Sequence, residues 1–276
     1  MATELSRLRS AAELTREQVS DRTGINDVTL YRIETAHARP QLRTLKAMLD
    51  TYEVTDEQRA YLVDLCKNAT AQDWTVPFRD ELSAVYSAYL SFENEASALR
   101  NYESLFLPGL LQTEKYARAV VRGTLPMATK DDIGIRAKAR MTRQQVLTRD
   151  DPLSLWAIVD EAALRRVVGS PATMREQLAH LADVITAPHI TFQVIPYRVG
   201  AHPGMAGQFT VLEFADDEDA DLVYVETIAG DLFAEKDKDI KNYRAIFENL
   251  VAVALSPDES VTMVEEAASD LKGRRP

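Results

Sequence analysis

The chain is poor in the residues that most often carry catalysis and metal binding. It has one cysteine, Cys66, in 276 residues, so an internal disulfide framework and a Cys-rich metal site are both excluded. Its histidines are His37, His180, His189 and His202. They form neither His-Glu-x-x-His nor His-x-His, so a zinc site has no sequence support. No P-loop, Gly-x-Gly-x-x-Gly or Gly-x-Ser-x-Gly occurs, and the most glycine-rich stretch, Gly200 to Gly207, reads as a plain turn between strands, with a flexible binding loop as the alternative. Enzymatic activity and a bound cofactor are therefore not expected. No apolar run reaches about 18 residues, so no transmembrane helix is expected. The start, MATELSRLRS, lacks the apolar stretch of a signal peptide, which points to the cytoplasm.

What the chain does have is a core-building composition, 46% hydrophobic and 27% charged, at a length that suits two domains. The formal charge is −11, which taken alone argues against a polyanionic partner. The charge is uneven, however. Residues 1–50 hold eight Lys/Arg and seven Asp/Glu, net +1, leaving −12 for residues 51–276. Seven of those eight cations are Arg, the residue suited to bidentate phosphate and guanine contacts. An acidic total thus leaves one small face able to approach nucleic acid.

That face lies in a dense helical pattern. Leu5, Leu8 and Ala12 keep one stripe of a first helix. Thr15 to Gln18 fits a capping box opening a second helix, with Val19 inward. Gly24 stands where a helix end needs positive φ. Asn26 is a good N-cap for a third helix with Leu30 and Ile33 inward. Two short helices joined by a Gly-containing turn are the helix-turn-helix pattern. The segment Leu14–Ser20, Gly24–Asn26 and Thr29–Glu34, followed by Arg39-Pro40 with Leu42, Leu45 and Leu49, resembles the phage-repressor-like (Xre-type) regulators over about residues 4–52. It departs from them at Arg16, where Gln is common, at Ser20, where Ala is usual, and at Ala36, where Gly is usual.

The resemblance implies that the third helix enters the major groove of an operator. Phase places Asp27, Val28, Thr29 and Arg32 outward. Arg32 is expected to pair with guanine or grip a phosphate, and Val28 and Thr29 to touch a thymine methyl. Asp27 accepts from cytosine or only favours the helix N-terminus. Arg16 is placed for a phosphate or an edge base, Arg39 and Arg43 are expected to clamp the backbone, and Asn26 and Tyr31 complete the DNA-binding set. One more helix follows over residues 55–69, with Ala60-Tyr61, Leu65 and Cys66 on one face. The first domain is taken as residues 1–72, all-α with about five helices, and the second as residues 73–276.

The second domain alternates strand and helix patterns. A helix is expected over 78–98, an extended segment over Tyr102–Leu107, and helices over 110–122 and 129–148, the latter cationic. Strands are expected at Leu153–Val159, Ile190–Ile195, Gln208–Phe214 and Leu222–Thr227. Further helices are expected at Glu161–Val168, from Ser170-Pro171 to about Thr186, at Asp237–Leu255, and after Ser256-Pro257. This reads as α+β with a mixed sheet. Residues 74–272, with Phe92–Ala96, Pro108–Thr113, Tyr116–Ala119, Asp160–Arg165, Gly200–His202 and Phe209–Phe214, resemble the effector domain of actinobacterial WhiJ-like and Scr-type antitoxin-like regulators.

That resemblance implies a repressor paired with a small single-domain protein encoded nearby. Phe106, Leu107, Leu110 and His202 are the candidate partner contacts, with a plain core role as the alternative for the apolar three. The expected partners are therefore a double-stranded DNA operator and that small protein. A homodimer is expected because two half-sites are read together, with nucleoid association when DNA-bound. A small-molecule sensor with a pocket in the second domain is the competing reading. A scaffold whose helix-turn-helix no longer binds DNA is the third.

Overall fold

The computed structural model describes residues 1–35, 40, 42–70, 82–215, 221–227, 230–234 and 236–271. The chain divides into two compact units, Met1–Pro77 and Phe78–Pro276.

Among the described residues the N-terminal unit holds five helices: α1 (Ala2–Ala11), α2 (Arg16–Thr23), α3 (Asp27–Glu34), α4 (Leu42–Thr51) and α5 (Asp56–Thr70). The local signals act where they stand. The Thr15 hydroxyl accepts from the Gln18 amide at 3.2 Å and the Gln18 side chain accepts from the Thr15 amide at 2.8 Å. Gly24 takes φ +70 at the end of α2. The five helices close on Leu5, Leu8, Val19, Leu30, Ile33, Leu45, Met48, Leu49, Leu62 and Cys66. On α5 the buried pair is Leu62 and Cys66, while Tyr61 is 64% exposed. The expected inner face was thus off by one residue: Leu62 and Cys66 stand four apart and share the stripe, and Tyr61 falls outside it. The side chain of Leu65 lies outside the described residues.

The second unit holds α6 (Ala84–Glu95), β1 (Ala98–Glu103), α7 (Glu114–Thr124), α8 (Lys130–Arg143), β2 (Ser154–Asp160), α9 (Glu161–Arg165), α10 (Pro171–Val184), β3 (Ile190–Ile195), β4 (Phe209–Glu213), β5 (Leu222–Val225), β6 (Leu232–Ala234), α11 (Asp237–Val253) and α12 (Pro257–Asp270). The six strands form one sheet in the order β3-β2-β1-β4-β5-β6. β1, β2 and β3 run parallel through helical crossovers, and β4, β5 and β6 add antiparallel. The sheet is mixed and the unit α+β, as the strand and helix pattern implies.

The sheet faces follow the two-residue period. Tyr102, Ile158, Ile195, Phe209, Val211 and Val223 pack with Ile240, Phe247 and Leu250 of α11. The outer edge of β3 is closed by the start of α12. The Val194 amide donates to Ser260 Oγ at 3.0 Å, and its carbonyl accepts from the Leu255 amide at 2.8 Å.

Several expected boundaries moved. The extended segment is Ala98–Glu103 rather than Tyr102–Leu107, and residues 109–111 form a 3₁₀ turn before α7. The cationic helix ends at Arg143 and continues as a 3₁₀ turn. β6 was not anticipated, because three residues carry too little alternation to register as a strand. The expected helix over 78–98 is described only from α6.

Candidate nucleic-acid interface

The candidate interface is the α2–turn–α3 corner. Its turn is built from the backbone upward. The Gly24 amide donates to the Ser20 carbonyl at 2.8 Å, a left-handed C-cap that reverses the chain at once. The Ile25 amide donates to Thr23 Oγ1 at 3.2 Å, and Asn26 Oδ1 accepts from the Val28 amide at 2.9 Å, opening α3. A Cβ on residue 24 would meet nothing within 4 Å, so glycine is required there by the backbone angle alone.

The corner is fixed from behind. Glu34, at the end of α3, receives Arg9 of α1 through two parallel bonds at 2.7 and 2.9 Å. The same guanidinium donates to the Leu14 carbonyl at 2.9 Å, and the Tyr52 hydroxyl reaches Glu34 at 3.4 Å. Glu34 raises the pKa of Arg9 above its ordinary value, chiefly through the hydrogen bond between them. Burial, with the Glu34 charge, raises that of Tyr52. This bridge joins helices one and three across 25 positions of sequence. Only the pairing of Arg with an acid could have hinted at it.

The structure distributes the expected DNA-binding residues unevenly. Asn26 and Asp27 are exposed at the start of α3, and Val28, Thr29 and Tyr31 are half-buried. Arg43 is exposed on α4, and Arg39 lies outside the described residues. Arg16 lies over the Tyr31 ring, its Cζ 4.6 Å from the centroid. Arg32 corrects the sequence reading, because it is only 2% exposed. Helical phase sets the direction of its Cα–Cβ bond away from Leu30, but the guanidinium is covered there by other parts of the chain. Phase cannot report such cover. In this structure Arg32 is a buried cation and not a side chain held out to a groove.

In the second unit the expected partner contacts are drawn inward. Leu107 is 1% exposed and Leu110 4%, so both are core and not surface. The Leu107 carbonyl accepts from Gln112 Nε2 at 2.7 Å, and the Leu111 carbonyl accepts from Gln177 Nε2 at 2.8 Å. The first bond is local, and the second ties the apolar turn to a residue 66 positions away, a partner invisible in the local sequence. Phe106 is half-buried and its neighbour Leu105 exposed.

The His202 side chain is 3% exposed, with Nε2 3.3 Å from Asp160 Oδ2, so it too is withdrawn from the surface. The adjoining Gly204 lies flat on Tyr102, where a Cβ would stand 2.5 Å from the ring. Arg143, at the end of the cationic helix, is paired with Glu93 at 2.6 and 2.7 Å and held by the hydroxyls of Tyr86 and Tyr89. Burial and the nearby Glu226 carboxylate push the Glu103 carboxyl up to about 8.

Among the described residues no helix is long and apolar enough to cross a membrane. Residues 86–266 match the family described as Domain of unknown function (DUF5753). The chain belongs to the DUF5753 family. In this member the family domain runs from within α6 through most of α12 and takes in all six described strands. Ahead of it, residues 1–62 match a helix-turn-helix domain, covering α1 to α4 and the first part of α5. No curated protein and no solved structure matches the chain. The helix-turn-helix match and the α2–α3 geometry make this DUF5753 protein an Xre-like, DNA-binding regulator of transcription.

Proposed function

We propose that the chain is a sequence-specific repressor that binds its operator as a homodimer and answers to a small partner protein encoded nearby. The observation that carries this reading is the α2–turn–α3 corner, whose α3 N-terminus leaves Asn26 and Asp27 exposed beside Val28 and Thr29. The start of a recognition helix is the part that reaches base edges. A single such corner makes few contacts, and two copies on two half-sites about one helical turn apart supply the affinity of a regulator. The DUF5753 domain supplies the regulatory surface, and the chain performs no chemistry. Leu105 and Phe106 are the reachable remnant of the apolar turn and the best candidates for partner contact.

Regulation requires the partner to bind the free and DNA-bound forms unequally. Operator affinity of the full chain, measured with and without the purified neighbouring protein, tests this. A stable complex that changes operator affinity supports the reading. Absence of any complex overturns the partner half of it, and a strictly monomeric chain on its operator overturns the dimer.

A further inference from the structure

α3 carries a single cation, Arg32, and that cation is buried. The described solvent face of the recognition helix therefore offers an acid, an aliphatic side chain and a hydroxyl. None of these is a donor pair for guanine. A cation that rests against α3 comes from the preceding helix. Arg16 occupies the first position of α2, and its guanidinium rests on the ring of Tyr31, which α3 itself supplies. Arg16 makes no hydrogen bond or ion pair with the described residues. Its N–H donors are uncommitted while the ring holds its head against α3.

We propose that Arg16, positioned by Tyr31, reads a guanine at the outer edge of each half-site. A guanidinium resting on a ring keeps its in-plane N–H edge available, and a two-donor edge matches the O6 and N7 acceptors of guanine in the major groove. Gripping a phosphate needs no such support, because a phosphate accepts from many directions. Tyr31 belongs to the helix that enters the groove, so the stack holds the guanidinium toward bases rather than toward the backbone alone. Tyr31 is the positioning residue, acting through Arg16. The inference rests on the DNA-binding reading of the corner.

The test is selection of a randomised duplex library with the full-length chain, followed by affinity measurements on the selected motif with each base substituted in turn. The wild type should enrich a motif containing guanine at its flank. Arg16→Ala should erase preference at that position alone, a loss of roughly 5- to 150-fold in discrimination, the range expected of one bidentate pair. Tyr31→Phe keeps the ring and should retain the preference. Tyr31→Leu keeps apolar bulk without the ring, and should soften the preference at the same position and nowhere else.

If Arg16→Ala weakens all sequences equally and reduces the salt slope, Arg16 is a phosphate contact and the inference is overturned. An unchanged motif overturns it as well. If the wild type enriches no motif, the DNA-binding reading itself falls, and the inference with it.

Discussion

Replacing Arg32 by Ala separates a buried cation from a base reader. A base-reading Arg would lose about 1–3 kcal/mol of operator discrimination on truncation, with little effect on folding. A side chain only 2% exposed behaves differently. Its removal abandons a desolvated charge site and leaves a gap in a buried part of a unit ending at Pro77. Breaking a buried charged contact costs about 3–5 kcal/mol, and loss of a hydrogen bond to a charged group about 1.5–3 kcal/mol. We therefore expect about 2–4 kcal/mol of destabilisation. In a unit of this size that lowers its melting by roughly 10–30 °C.

The two units need not melt together. The assay is therefore hydrogen exchange of the α1 to α4 amides in the full chain, read alongside binding to matched and mismatched duplexes. Arg32→Ala should speed exchange throughout those helices and weaken all duplexes alike. Unchanged exchange with loss of preference at one base pair would refute the buried-cation account, and would mean that Arg32 swings outward on DNA.

Three further outcomes follow from the same physics. Gly24→Ala places a side chain at φ +70 with nothing to collide with, so it should cost about 1 kcal/mol of backbone strain, read as a shift in denaturant midpoint without loss of the motif. Glu93→Ala strands the Arg143 guanidinium among Tyr86 and Tyr89 and should destabilise the second unit by about 3–5 kcal/mol. Glu93→Leu combined with Arg143→Met should recover most of that in thermal melting.

Glu103 is held protonated by the fold. Its contribution to stability is full below the ordinary value of 4.5 and is lost as pH rises through about 8. Glu103→Gln should flatten the fall in urea midpoint across that window and leave the variant the more stable form at its alkaline end. An equal fall in both proteins would show that another group titrates.

The N-terminal fold was legible because its signals are local. Thr15 with Gln18, Gly24, and Asn26 each act within four residues, and the structure returns the same caps. Ser170-Pro171 and Ser256-Pro257 announced α10 and α12 in the same way. The mixed sheet followed from the mixing of strand and helix patterns, with apolar runs at Leu153–Val159 and Ile190–Ile195 falling on β2 and β3, whereas Leu232–Ala234 was too short to see.

The site was less legible, because burial of long polar side chains depends on distant partners. Arg143 turns inward to meet Glu93, fifty positions earlier. The turn that carries Leu107 and Leu110 is tied at the Leu111 carbonyl to Gln177, 66 positions later. Arg32 was assigned outward from phase, and phase carries no information about what covers a face. Tyr31 was counted among the DNA-binding residues with no role attached, and its role came only with the geometry of Arg16 above its ring.

The most direct test of the account is equilibrium binding of the full chain to its selected duplex, measured against unselected DNA over a series of salt concentrations. A sequence-specific regulator should prefer the selected duplex by at least about 10³-fold, and log affinity should fall linearly with log salt. Exchanging the half-buried Thr29 for Ala in the first turn of α3 should narrow that preference. Equal affinity for both DNAs, or no measurable binding at low salt, would contradict it.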